Sequence, residues 1–336
     1  MHSRAALLVA SLVFTGPALG DDNRAVRDRV SESIVKVRVV NETRRLETGS
    51  AVALGKGMLV TSCHGTRNAR VIDILARGQQ RQVRQQVKDI EHDLCLLEVA
   101  EGAFAALELA SEADDLKVGD YVAAIGFAGV QLQFSEGTVK ALHRYDRSNV
   151  IQTDARFAKG ESGGALVNRA GKLVGILTFF AYGRSDFYFA VPVGWVQTLL
   201  DRAQTNTPAA PQPEQSFWER ADRERPPFLQ AAAREFQHDW AGLRDVASQW
   251  VEQDADNAQA WLALGKAHHH SRREGAAIEA LHEAVKLDPQ HPAGWYYLGA
   301  AYRELNETQG VQESLQRLDA LDPKAARALR DGSPME

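Results

Sequence analysis

A Pro-rich polar stretch at residues 204–216 separates two parts of the chain whose apolar residues follow different periods. Before it, apolar and polar residues alternate over short segments such as SIVKVRVV (residues 33–40), as they do in β-strands. After it, apolar residues recur every three or four positions, as they do in amphipathic helices. A stretch of this composition has no core of its own, so it predicts a semi-rigid linker between two domains.

The first part, up to residue 203, carries many short segments with the strand pattern. In GSAVALGKGMLVTSCH (residues 49–64) a glycine turn separates two such segments, and KLVGILTFF (residues 172–180) is another. Because the segments are short and joined by Gly- and Asp-containing turns, they predict an all-β sandwich or barrel. The amphipathic pattern of VGWVQTLLDRA (residues 193–203) predicts a helix that closes this domain.

The N-terminus has the pattern of a secretory signal. The basic MHSR is followed by the apolar AALLVASLVF (residues 5–14) and by TGPALG, which ends in small residues. A transmembrane helix needs about 20 apolar residues, and this run is shorter. We expect cleavage near Gly20 and a periplasmic or secreted mature protein with no membrane span, beginning its first domain at residue 21. The alternative is an ordinary buried helix.

The second part repeats itself every 34 residues. The recurring residues are Trp261, Leu264 and Gly265 with Trp295, Leu298 and Gly299, and Leu-Asp-Pro at 287–289 with 321–323. The spacing and the W-x-x-L-G order resemble the tetratricopeptide repeat (TPR). The resemblance implies an all-α domain at residues 217–330, with clear units at 258–291 and 292–325 and a degenerate unit at about 224–257. Its groove would hold a peptide or protein partner, or the module would be a structural extension or an oligomer contact.

The segment GESGGALVN (residues 160–168) places one hydroxyl among three glycines. On its own this is more often a tight turn than a nucleophile. A serine nucleophile needs a base, an acid that orients the base, and N–H donors for the oxyanion. His64 ends an apolar strand and can supply the base, and Asp93 stands directly before the apolar strand LCLLEV and can supply the acid. Ser162 is then the nucleophile, with the backbone N–H groups of Gly160 and Ser162 as the oxyanion hole.

The order His64, Asp93, Ser162 is that of the chymotrypsin-type proteases. In more detail, residues 30–200 resemble the HtrA/Deg branch of trypsin-like proteases, through GSAVAL…GMLVTSCH, HDLCLLEV, VIQTDARFAKGESGGALVNRAGKLVGI and FYFAVPV. The resemblance implies two six-stranded β-barrels with the active site between them. It also implies hydrolysis of peptide bonds through an acyl-enzyme without a metal or cofactor, and a strand, Leu177, Thr178 and Phe179, that pairs with the substrate backbone.

The chain departs from the family pattern at several positions. Glu161 replaces an Asn beside the nucleophile, and an unpaired charge facing the oxyanion would oppose catalysis. Cys63 stands beside the base and Cys95 lies on the strand of the acid; the two could form a disulfide or pack as two small buried thiols. A PDZ domain, usual in HtrA relatives, is replaced by the TPR region, so capture of C-terminal carboxylates is not carried over.

Substrate preference and partners are less readable. Arg156 and Phe157 lie in the segment that lines the primary pocket in relatives, where Phe157 would favour small aliphatic side chains. Arg156 would favour acidic ones if it pointed inward, but a solvent-facing position is preferred because an unpaired buried charge is costly. His268, His269 and His270 point about 100° apart on a helix and do not predict a metal site. The net charge of −5 offers no basic surface for nucleic acid.

The sequence therefore predicts an exported serine endopeptidase with a TPR module that recruits partners or polypeptide substrates, and an oligomer is possible. The alternative is a catalytically inactive, protease-like scaffold that acts only by binding proteins.

Overall fold

The structure, a computed structural model, describes residues 21–100, 104–111, 116–180, 187–205 and 212–335. The expected signal sequence, residues 1–20, lies outside them. The described strands are β1 (Ile34–Asn41), β2 (Leu46–Gly55), β3 (Met58–Ser62), β4 (Ala69–Ala76), β5 (Gln79–Gln82), β6 (Gln85–Asp89), β7 (Leu94–Glu98), β8 (Tyr121–Ala128), β9 (Gln131–Tyr145), β10 (Ser148–Thr153), β11 (Ala165–Asn168), β12 (Leu173–Phe180) and β13 (Tyr188–Pro192). The described α-helices are α1 (Asp21–Ser31), α2 (Val193–Gln204), α3 (Pro227–Phe236), α4 (Trp240–Gln253), α5 (Ala258–His270), α6 (Glu274–Leu287), α7 (Pro292–Glu304), α8 (Thr308–Leu321) and α9 (Pro323–Asp331).

Strands β1–β7 form one antiparallel sheet in the order β5-β4-β1-β2-β3-β7-β6. Its two edge strands are consecutive in the chain, with only Val83 and Arg84 between them. The N–H of Val83 donates to the carbonyl of Ile72 in β4 (2.9 Å), and the N–H of Arg84 donates to that of Glu98 in β7 (2.7 Å). One interrupted strand thus joins the two edges, which is why the sheet has seven strands where the resemblance implied a six-stranded barrel.

Strands β8–β13 form a closed six-stranded barrel in the order β10-β13-β12-β11-β8-β9. The alternating pattern of the sequence predicts this arrangement, because one side of each strand faces the barrel interior. Residues such as Leu166, Val174 and Leu177 are buried there, in one cluster. The all-β class and the six-stranded second barrel are confirmed, whereas the first unit is a seven-stranded sheet and not the six-stranded barrel that the resemblance implied.

Helices α3–α9 form the helical module, and its repeat is visible in single hydrogen bonds. The indole of Trp261 donates to the carbonyl of Ala255 (2.7 Å), and the indole of Trp295 donates to that of Pro289 (2.9 Å), so donor and acceptor both recur 34 residues later. Gly265 lets α5 approach α6 closely, because an added Cβ would lie 2.4 Å from Cγ of Leu281. The helical class predicted for this region is confirmed.

The helical module packs on the second barrel. The ring of Phe228 in α3 stacks on His143 of β9, with centroids 4.5 Å apart. One apolar core runs from the barrel through Phe217 and Phe228 into α4 and α5. None of the described helices is long and apolar enough to cross a membrane.

Candidate active site

His64 and Asp93 are brought together by the pairing of β3 with β7. Ser62, the last residue of β3, pairs with Leu94, the first residue of β7. Asp93 immediately precedes that pair and His64 follows it by two residues. The Nδ1 atom of His64 lies 2.7 Å from Oδ2 of Asp93, and the backbone N–H of His64 donates to Oδ1 at 2.6 Å. The carboxylate therefore fixes both the position and the orientation of the imidazole.

The Asp93 carboxylate is fully buried and accepts a third hydrogen bond. Its donor is the indole N–H of Trp218, 3.1 Å from Oδ2. Asp93 has a backbone φ of +57°, a conformation that Asp tolerates better than most residues with a Cβ. Three N–H donors therefore fix the position of this carboxylate, which in turn holds the imidazole in one orientation.

Cys63 and Cys95 are joined by a disulfide, with their Cα atoms 4.8 Å apart. Of the two alternatives left open by the sequence, the structure therefore shows the bridge. Cys63 directly precedes His64, and Cys95 follows Asp93 by two residues. The disulfide thus ties the ends of the two strands that position this pair.

Ser162 lies on a turn that packs against the first sheet. The N–H of Ser50 in β2 donates to the Ser162 carbonyl (3.0 Å). Gly163 has φ +84°, and an added Cβ would lie 2.2 Å from both the Ser50 carbonyl and Oγ1 of Thr61, so only glycine fits. The turn is therefore held against β3, the strand that leads to His64.

The Oγ of Ser162 donates to the carbonyl of Thr178, at 3.2 Å. Within the described part of the chain it makes no hydrogen bond to His64. The structure thus assembles the acid and the base, and points the hydroxyl of the third residue elsewhere. Catalytic hydrogen bonds are often long or misaligned in a free enzyme and tighten when substrate binds.

The turn before Ser162 leaves two backbone N–H groups without an acceptor in the described part of the chain. Gly160 has φ +101°, a conformation that L residues with a Cβ rarely adopt. Its carbonyl accepts a hydrogen bond from Oγ of Ser50 (3.1 Å), which fixes the peptide on that side. Among the described residues, the N–H groups of Gly160 and Ser162 have no protein acceptor, so both are available to a ligand oxygen.

Comparisons with known proteins identify the two domains. A family model described as a trypsin-like peptidase domain matches residues 48–176, and one described as a tetratricopeptide repeat matches residues 258–301. The chain contains a trypsin-like peptidase domain followed by a TPR. The peptidase domain is homologous to the HtrA/DegP proteases.

Two curated relatives and one solved structure illustrate the similarity. The periplasmic serine endoprotease DegP of Escherichia coli K12 is 35% identical over 167 residues, covering 47% of this chain and 35% of the relative. A probable serine protease do-like of Buchnera aphidicola subsp. Acyrthosiphon pisum is 34% identical over 166 residues, covering 46% of this chain and 35% of the relative. The serine endoprotease from Yersinia pestis superposes with a TM-score of 0.50 at 26% identity, covering 55% of this chain and 67% of that one. The chain therefore spans about a third of the length of these curated relatives.

The imidazole of His64 in the peptidase domain has a raised pKa. Burial acts most strongly and would lower the pKa, but the charge and hydrogen bond of Asp93, together with the charge of Glu219, outweigh it. The charge of Arg67 acts in the opposite direction. The surroundings of His64 thus favour the imidazolium, which is the form a base reaches after it accepts a proton.

Glu161 of the peptidase domain turns back into its own loop. Its side chain is buried, and its carboxylate accepts a short hydrogen bond from the N–H of Ala158. Burial raises the pKa of Glu161, and the Ala158 bond opposes this only in part. Glu161 also packs over β8, where an added Cβ on Gly126 would lie 2.9 Å from its Cβ. The carboxylate is therefore bonded on the Ala158 side of the turn.

The predicted substrate-binding residues lie in different surroundings. Arg156 is exposed, and Phe157 is buried against Phe180 and Tyr188. Leu177 has both backbone groups engaged: its N–H donates to Gly164 (2.9 Å) and its carbonyl accepts from Gly163 (2.7 Å). Leu177 therefore has no backbone group to offer a substrate strand in this arrangement. The Thr178 carbonyl is taken by Ser162, and the ring of Phe179 is stacked by Trp218, with centroids 4.9 Å apart.

Sequence reasoning missed Trp218. It follows the Pro-rich stretch in the segment SFWER (residues 216–220), and it reaches Asp93 across 125 residues of chain. One signal was available: two adjacent aromatic residues, Phe217 and Trp218, in polar surroundings suggest a buried anchor. Phe217 is indeed fully buried.

Proposed function

We propose that the chain is an exported serine endopeptidase that cleaves peptide bonds through Ser162, His64 and Asp93. The observation that carries the proposal is the buried Asp93 carboxylate, held 2.7 Å from Nδ1 of His64 in a domain homologous to HtrA/DegP proteases. Export and a periplasmic location are supported by the N-terminal pattern and by the periplasmic relatives. The proposal includes the expected domain limits, which are a signal sequence at residues 1–20, a peptidase domain at 21–203, a linker at 204–216 and a helical domain at 217–330.

The proposed chemistry is that of a Ser-His-Asp triad. Ser162 Oγ turns from Thr178 towards His64 and bonds to the scissile carbonyl carbon, while its proton passes to Nε2 of His64. The carbonyl oxygen becomes the oxyanion and accepts hydrogen bonds from the N–H groups of Gly160 and Ser162. The C–N bond then breaks, the leaving amine takes the proton from His64, and an acyl-enzyme remains. Water then enters: it loses a proton to His64 and its oxygen bonds to the acyl carbon. The bond between that carbon and Oγ of Ser162 breaks, Oγ takes the proton from His64, and the carboxylic acid product leaves.

The TPR module is proposed to recruit protein partners or polypeptide substrates. Support comes from the groove that it forms with the second barrel, lined by residues of β9 and of several helices, among them Lys140, Lys266 and Tyr297. The proposal places recruitment at the helical module and cleavage in the peptidase domain.

A serine-directed fluorophosphonate tests the proposal. The full mature chain should be labelled and should cleave unfolded casein. Ser162→Ala should lose labelling and at least about a thousand-fold in cleavage rate, whereas Ser148→Ala, a serine on β10, should retain both. If neither activity depends on Ser162, including after addition of candidate partners, the chain is instead a protein-binding scaffold. The bond from Ser162 to Thr178 is the observation that favours that second function.

A further inference from the structure

A segment outside both barrels, Ser216 to Arg220, contacts the Asp93–His64 pair directly. Trp218 makes three contacts there. Its indole N–H donates to Oδ2 of Asp93 (3.1 Å), its ring meets that of His64 edge-on with centroids 5.3 Å apart, and it stacks on Phe179 with centroids 4.9 Å apart and planes 15° from parallel. Trp218 therefore contacts the acid, the base and Phe179 of β12 at once.

Ion pairs anchor the segment on both sides of Trp218. Arg67, just after His64, donates to both carboxylate oxygens of Glu219, one bond being 2.8 Å long. Arg220 donates to the carboxylate of Glu91, two residues before Asp93. These pairs are largely shielded, with side-chain exposures of 15% and 19% for Arg67 and Glu219. Partners held at two points on opposite flanks fix the tryptophan between them.

Backbone and apolar contacts add to this anchoring. The N–H of Phe217 donates to the carbonyl of Glu91 (3.1 Å), and the Phe217 ring is fully buried against Tyr145 and Phe179. The Glu219 carboxylate also accepts the N–H (3.1 Å) and the hydroxyl (2.7 Å) of Ser216. A segment with a buried aromatic anchor and this many bonds is a fixed part of the domain, which distinguishes it from a lid that opens.

We propose that Trp218 is a positioning residue of the catalytic centre, which holds the Asp93 carboxylate and the His64 ring in register through its indole N–H and ring edge. This inference rests on the proposed function. It assigns the segment Ser216 to Arg220, between the second barrel and the helices, a role in the catalytic centre of the peptidase. No other described side chain donates a hydrogen bond to Asp93 besides His64 and Trp218. The hydroxyl of Thr178 on β12 donates to the carbonyl of Ile176.

The indole bond has a measurable electrostatic consequence. By donating to Oδ2, Trp218 neutralises part of the Asp93 charge that attracts the imidazolium of His64. Without this donor, the Asp93 carboxylate attracts the imidazolium of His64 more strongly, so the pKa of His64 rises. The charged groups acting on His64 are Asp93, Glu219 and Arg67, and a Trp218→Phe exchange leaves all three in place.

The test compares Trp218→Phe with Trp240→Phe in the full mature chain. Trp240 stacks on His270 in the helical module and lies away from the catalytic centre. Trp218→Phe keeps a ring on Phe179 and loses only the donor. We expect the acid limb of kcat/KM to move up by about half a pH unit, with kcat falling about ten-fold and KM little changed. Trp240→Phe should have the same acid limb of kcat/KM, the same kcat and the same KM as the parent.

A second measurement uses the unaltered chain and needs no turnover. In a sample with ¹⁵N-labelled tryptophan, the indole resonance of Trp218 should shift as His64 titrates, and that of Trp261, whose indole donates to the carbonyl of Ala255, should not. An indole resonance that ignores the His64 titration, or an unchanged pH profile in Trp218→Phe, overturns the proposal. Failure of fluorophosphonate labelling together with a coupled indole resonance would overturn the proposed peptidase function and leave this positioning role standing.

Discussion

The hydroxyl of Ser162 donates to the carbonyl of Thr178 at 3.2 Å, on the strand next to its own turn. A nucleophile in this position must exchange one acceptor for another before it can react. We expect the adduct with a peptidyl phosphonate to show Oγ of Ser162 beyond hydrogen-bonding distance of the Thr178 carbonyl. A crystal structure of the adduct checks this. An adduct in which the Thr178 bond persists would show that the hydroxyl reacts from its resting position.

The raised pKa of His64 predicts opposite pH dependences for activity and stability. Catalysis needs the neutral imidazole, so kcat/KM should rise with pH through a value above 6.5, the ordinary histidine pKa. The stabilisation from the His64–Asp93 pair is fully present below the ordinary pKa of histidine and is lost as pH rises through the raised one. NMR titration of His64 should give the same midpoint as the rate profile. In Asp93→Asn we expect both a lower midpoint and a loss of about 10⁴ in kcat.

Glu161 predicts a stabilising substitution. Because burial raises its pKa, the side chain favours the protonated form in the folded state, and its contribution to stability falls as pH rises through that pKa. Glu161→Gln keeps an acceptor for the Ala158 N–H and removes the charge. Its melting temperature should exceed that of the parent by a few degrees at pH 8, with the difference vanishing near pH 4. An advantage that is equal at both pH values would argue against a charge effect. Glu136→Gln, on β9 where the carboxylate accepts the hydroxyl of Tyr121 (2.8 Å), tests whether any Glu-to-Gln change has the same result.

The disulfide between Cys63 and Cys95 should contribute both stability and alignment. Replacing both cysteines with alanine should cost roughly 2–4 kcal/mol of unfolding free energy, measured by urea titration. The rate of fluorophosphonate labelling should also fall, because the bridged residues flank His64 and Asp93. Parent protein treated with a reductant should behave like the double variant. If the parent and the double variant are labelled at equal rates in native buffer, the disulfide contributes to stability alone.

Two glycines of the helical module form a matched pair. An added methyl at Gly265 would lie 2.4 Å from the buried Leu281, whereas nothing lies within 4 Å of one at Gly275. Gly265→Ala should therefore destabilise the module by about 1–3 kcal/mol, and Gly275→Ala should stabilise it by up to about 1 kcal/mol. Thermal unfolding followed by circular dichroism at a helical wavelength separates the two. Destabilisation by both, or by neither, would contradict the packing described for α5 and α6.

The parts of the site that could be predicted from sequence are those encoded by short patterns. The surrounding glycines identified Ser162, and the position of a carboxylate directly before an apolar strand identified Asp93. The direction of the Glu161 side chain could not be predicted, because it depends on which N–H group the carboxylate reaches. The N–H of Ala158 and solvent are competing partners for that carboxylate. Trp218 escaped because its bond to Asp93 spans 125 positions and has no periodicity. In the fold, the alternation of apolar and polar residues predicted the strands. The interruption between β5 and β6 at Val83 and Arg84 could not be predicted, because the hydrophobic pattern does not change there.

The place of Trp218 in the chain has a consequence for biogenesis. A polypeptide is made from its N-terminus, so His64, Asp93 and Ser162 all exist before residue 218 has been added. During that interval the Asp93 carboxylate lacks its indole donor, and the ion pairs of Arg67 and Glu91 lack their partners. The nascent chain thus reaches its finished charge balance only after the whole double barrel has been synthesised. A chain ending before residue 216 would therefore carry His64, Asp93 and Ser162 without the indole donor and without either ion-pair partner.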